Sequence, residues 1–132
     1  MTNDHPEPDP DVIELASRMF DHARRGDTST LTQYLDAGLP VNLTNDKGDT
    51  LLMLAAYHGH TDTVAALIER GADLDRLNDR GQSPLAGAVF KGENAVVRLL
   101  AEHGADPDAG TPTARQTARM FDKQDLLALF GN

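Results

Sequence analysis

The chain has 132 residues, of which 39% are hydrophobic and only 5% aromatic, and its 12 basic and 21 acidic side chains leave a net charge of −9. That length holds one small domain with a modest core; no apolar run approaches the roughly 18 residues that cross a bilayer, and so acidic a surface repels phosphate backbones, so neither membrane nor nucleic acid is an expected partner. Cysteine is absent, which excludes disulfides, a thiolate metal site and a thiol nucleophile.

Residues 1–10 are acidic and rich in proline, with Pro6, Pro8 and Pro10 among Asp4, Glu7 and Asp9. They lack the basic start and apolar stretch of a secretory signal. We expect a solvated, disordered tail and a cytoplasmic protein. Asn42-Leu43-Thr44 has the form of a glycosylation acceptor, but an unsecreted chain does not meet that machinery.

From residue 11 onward the sequence repeats. Gly26, Gly59 and Gly92 stand 33 residues apart, as do Gly38, Gly71 and Gly104, and Gly48 and Gly81. Leu31, Val64 and Val97 keep the same interval, as do Ala23, Ala56 and Val89. Within one period, Thr50 to His58 reads as a short apolar helix ended by Gly59. Asp62 to Arg70 reads as a second helix, with Val64, Leu67 and Ile68 on one face. Gly71 ends it, because glycine takes the left-handed conformation without a Cβ clash. Residues 72–77 then run extended into the turn Asn78-Asp79-Arg80-Gly81. Such a unit exposes an apolar face that only a neighbour can cover. The units run about 11–44, 45–77, 78–110 and 111–132. The outer two are atypical, as caps should be. The last begins at Thr113, only 30 residues after Ser83, so the turn before it has lost three residues.

The strings inside the period resemble the ankyrin-repeat family. Thr50-Leu51-Leu52-Met53-Leu54-Ala55-Ala56 and Ser83-Pro84-Leu85-Ala86-Gly87-Ala88 are similar to the family's T-P-L-H-x-A-A, and Gly59-His60 to its G-H. Gly71-Ala72-Asp73 and Gly104-Ala105-Asp106 are similar to its G-A-D, with Gly38-Leu39-Pro40-Val41-Asn42 a looser copy. The resemblance covers residues 12–130. It implies an all-α solenoid of helix-turn-helix units joined by short hairpin-like turns, about four repeats in all. Met53, Ala86 and Gln116 stand where the family has histidine, so its Thr–His hydrogen bonds are not expected, and apolar packing by Met53 is expected to compensate. Gly87 inside a helix costs about 1 kcal/mol relative to alanine, and close helix approach is the reason to keep it.

Catalytic motifs do not emerge. Gly87 to Glu93 has the glycine spacing of a phosphate-binding loop, but Glu93 stands where the lysine belongs. There is no G-x-S-x-G and no H-E-x-x-H. His58, His60 and Asp62 form the one set with a metal-like pattern, the basis of an alternative reading as a metal-dependent regulator or small enzyme; Gly59 breaks the helix between the two histidines. His5, His22 and His103 are scattered. No cofactor is expected.

The resemblance implies instead a protein-binding module, with turn tips and first helices forming a concave face. On that face fall Asp46, Lys47 and Asp49 from one turn, and Asp79, Arg80 and Gln82 from the next. The ends of the first helices add Arg24 and Arg25, Tyr57 and His58, and Phe90 and Lys91, with Met120 and Phe121 in the last unit. Tyr57 and Phe90 are expected to stack side by side, and Arg25, His58 and Lys91 to form a second row. The expected partner is another protein carrying an acidic and apolar segment. The chain is expected to act as a monomer, with Asp125 to Phe130 either wrapping the last unit or leaving a patch for a second copy.

Overall fold

The computed structural model describes residues 10–131. Residues 1–9 of the expected tail lie outside that range, while Pro10 opens the first helix, where a proline's missing N–H is tolerated. Eight helices occur among the described residues: α1 (Pro10–Arg25), α2 (Thr28–Asp36), α3 (Leu51–Tyr57), α4 (Thr61–Glu69), α5 (Pro84–Lys91), α6 (Asn94–Glu102), α7 (Ala114–Met120) and α8 (Gln124–Leu129). There is no strand among them, only one isolated bridge between Thr44 and Thr50. All but α1 have nine residues or fewer. Helices that short do not persist alone in water, so packing holds them.

The packing is that of stacked hairpins. Each odd-numbered helix pairs with the even-numbered one that follows it, α1–α3–α5–α7 form one layer, and α2–α4–α6–α8 form the other. The middle of the first layer is almost wholly interior: Leu51 to Ala56 and Pro84 to Val89 are buried. In the second layer Leu31, Val64 and Val97 are 1% exposed or less, as their common period requires. The C-terminal stretch folds onto the last unit, with Leu126 and Leu127 buried and Leu129 and Phe130 half-buried against the core.

The first helices α3, α5 and α7 each start on a hydroxyl cap. The Thr50, Ser83 and Thr113 side chains accept the backbone N–H of Met53, Ala86 and Gln116 at 3.0, 3.1 and 3.0 Å. A cap of this kind satisfies one of the amides left open at a helix start. The Gln116 side chain also accepts the Thr113 amide at 2.8 Å, which completes a capping box. Met53 packs on Gly87: a Cβ there would lie 2.8 Å from the Met53 methyl. The helical glycine and the methionine in place of histidine are thus one feature, a small residue making room for a large one.

Hairpin turns tie the units edge to edge. Asn45 and Asn78 each fold their own turn by accepting two backbone N–H groups at 2.9–3.0 Å. Asn78 Nδ2 also donates to Asp49 Oδ1 at 2.9 Å in a buried bond, and the Asp79 amide donates to the Lys47 carbonyl at 3.0 Å. On the opposite edge, Asn42 accepts the Asp73 amide and Asp75 the Asp106 amide, both at 2.8 Å. Arg70 grips Asp36 with two bonds at 2.9 and 3.2 Å.

Candidate functional site

Helix ends and turn tips form one wall of the stack. Its centre is a depression of about 190 Å³ whose floor is Met53 and Leu54 and whose rim carries Arg24, Lys47, Tyr57, His58 and Arg80. The hairpin bonds from Asn78 and Asp79 hold Lys47 and Arg80 in place, while α1 and α3 deliver Arg24, Tyr57 and His58. Arg24 also donates to Asp21 at 2.8 Å in a half-exposed pair. Asp49 belongs to the same lining, but it is buried and its carboxylate receives Asn78 Nδ2. Its place is structural, because a buried carboxylate is costly without such a donor.

The contacts along the wall run diagonally. Lys91 Nζ sits 5.0 Å from the centre of the Tyr57 ring, within cation–π range. Phe90 meets Phe121 with ring centres 5.9 Å apart, and the Tyr57 ring touches the edge of His58 at 5.6 Å. Tyr57 and Phe90, expected side by side, thus make their ring contacts with Lys91 and His58 and with Phe121. One residue step turns a helix by 100°, so equivalent residues face outward while the next residue of the following unit leans back over its predecessor. Phe121 pairs with Phe90 by this rule, since the last unit is three residues short.

Besides Phe90 and Lys91, four expected residues lie outside the lining of the depression. Arg25 lines a separate hollow with Arg18, Asp21 and His22. Asp46 faces the groove between α1 and the first hairpin, beside Ile13, Ala16 and Phe20. The Asp79 carboxylate lies against Gly48 of the preceding hairpin. Gln82 serves the turn through its backbone, bonded both ways to Asn78.

Partial desolvation pushes the His58 imidazole below its usual pKa although the residue stays exposed, and the nearby His60, Lys91 and Arg24 charges push it further, against the opposing effect of Glu93. His60 has a different task. Its Nε2–H donates to the Arg24 carbonyl at 2.6 Å, closing the end of α1, and its ring lies over Gly26. Glu93 leans on Gly59 in the same way. A Cβ at either glycine would collide, and both have φ of +76°, so these seams admit glycine for two reasons. The His58 and His60 rings lie 6.4 Å apart, and among the described residues no three His, Asp or Glu side chains come together as metal ligands. No helix among them is long and apolar enough to cross a membrane.

A family model for ankyrin repeats, in three copies, matches residues 19–111. The chain belongs to the ankyrin repeat family. Over 53 residues it is 53% identical to the "Putative ankyrin repeat protein PA3287" of Pseudomonas aeruginosa, a match over 40% of this chain and 31% of that protein. It is also similar to the crystal structure of the human ASB11 ankyrin repeat domain, with a TM-score of 0.74 and 24% identity over 85% of this chain and 52% of that one. The chain thus matches less than two thirds of the length of either, and the structural likeness establishes the all-α ankyrin solenoid. Ankyrin repeats generally serve as protein–protein interaction modules.

Proposed function

We propose that this chain is a non-catalytic adaptor, inhibitor or chaperone that acts in the cytoplasm as a monomer, holding a segment of another protein against the wall described above. The observation that carries this reading is the exposure of large apolar side chains there: Phe90 is 54%, Met120 69% and Phe121 44% exposed. They lie further along the wall that carries Arg24, Lys47 and Arg80, a wall already shaped by short helices and bonded turns. Aromatic and arginine side chains on one surface are what interfaces favour, and a preformed wall loses little entropy on binding.

Affinity capture from a lysate of the source cell tests it, run in parallel with the Tyr57→Ala/Phe90→Ala protein. A protein retained by the wild type and lost with the double substitution, while the melting temperature falls by no more than about 5 °C, supports the reading. Equal retention by both proteins, or loss of binding only together with loss of folding, contradicts it.

A further inference from the structure

Resting on that reading, we infer that the wall is divided into a carboxylate-binding end and an aromatic end, and that it takes a segment with acidic residues at one end and apolar residues at the other. The cationic end is the depression between the first three units. In a chain of net charge −9, its rim gathers Arg24, Lys47 and Arg80, with His58 among them. The one carboxylate in its lining, Asp49, is buried and already receives a hydrogen bond from Asn78, while Arg24 also donates to Asp21, outside the lining, at 2.8 Å. The floor is apolar, from Met53 and Leu54, which strengthens the attraction for an incoming carboxylate by keeping water from its underside. The aromatic end is the exposed pair Phe90 and Phe121, with the exposed Met120 preceding Phe121 in sequence, and Tyr57 under Lys91 joins the two ends.

The separation sets the spacing of the segment. Packed helices lie about 8–10 Å apart, so the step from the gap between α1 and α3 to the gap between α5 and α7 is about 16–20 Å. An extended chain covers that in five or six residues at about 3.3 Å each. The carboxylate end also discriminates: a lysine placed there meets three like charges, and a neutral side chain meets no partner for them.

Fluorescence anisotropy with labelled synthetic peptides tests the inference. One peptide carries a glutamate-rich end and a leucine- and phenylalanine-rich end, separated by a Gly-Ser spacer of about five residues. A second has glutamine in place of every glutamate. The expected result is binding of the acidic peptide at least about tenfold tighter than the glutamine peptide at low salt, with the gap closing as salt rises. Arg24→Ala/Arg80→Ala should remove that tenfold gap and leave the glutamine peptide unaffected. Phe90→Ala should weaken both peptides alike. Equal binding of the two peptides by the wild type, a gap that survives the arginine substitutions, or no binding of the acidic peptide overturns the inference. A thermal melt of each variant confirms that it is folded. The lysate capture with the Tyr57/Phe90 variant judges the broader reading separately, since a partner can need the wall without having this two-ended pattern.

Discussion

Lys91 lies 5.0 Å from the centre of the Tyr57 ring, one position out of step with the 33-residue period that would align Tyr57 with Phe90. The offset sets the character of the wall. It places a cation over one aromatic ring and a second aromatic, Phe121, against the next, so positive charge gives way to apolar surface along the stack.

The Met53–Gly87 contact predicts a compensating pair. Met53→Ala empties a site that is 3% exposed and should cost about 2–4 kcal/mol in urea unfolding. Gly87→Ala alone gains helix propensity and crowds the Met53 methyl, the movable end of a flexible side chain, so it should change stability by less than about 1 kcal/mol. Added to Met53→Ala, it should return about 1 kcal/mol. Strictly additive effects would show that the two residues do not share the space.

Asn45 and Asn78 perform the same turn chemistry, but only Asn78 reaches across to Asp49. Asn45→Ala should cost about 1 kcal/mol and Asn78→Ala about 3 kcal/mol, the difference measuring a carboxylate left buried without its donor. Equal losses in denaturant titrations would mean that the bond between turns contributes nothing.

His58 gives a pH dependence with a definite sign. Its folded pKa is lowered, first by partial desolvation and then by His60, Lys91 and Arg24. The unfolded chain therefore takes up this proton more readily than the folded one. The resulting loss of stability sets in as pH falls through the ordinary histidine value of about 6.5 and is complete below the folded pKa. His58→Gln should lose less melting temperature than the wild type between pH 8 and pH 5. An unchanged difference would remove His58 from the account.

Much of the fold was legible because backbone demands leave few residue choices. Gly26 and Gly59 recur since each combines positive φ with a neighbour's side chain pressed on its α-carbon. The Thr50, Ser83 and Thr113 caps recur since the first helix of each unit after the first starts on a hydroxyl acceptor. The site was less legible. Period arithmetic aligns equivalent residues, and nothing in it shows that a helix rotates its next residue toward the preceding unit, so it pairs Tyr57 with Phe90 rather than with Lys91. Arg25 and Asp46 share the right end of the chain segment with Arg24 and Lys47 but point elsewhere. Asp49 carries the same charge as its neighbours, and only its burial shows that it serves the turn. The contacts Arg70–Asp36 and Thr28–Thr63 join side chains 34 and 35 positions apart, off the 33-residue beat, so no repeat marks them.

The most direct test compares two faces of one protein against a captured partner. Tyr57→Ala/Phe90→Ala alters the wall, whereas Arg98→Ala removes an exposed pair with Asp125, 3.3 Å apart, on the second layer of helices. Binding measured by calorimetry should fall at least about a hundredfold for the wall variant, near 2.7 kcal/mol, and stay within about twofold for Arg98→Ala. The reverse order, or equal losses from two folded variants, would contradict the claim that this wall is where the protein works.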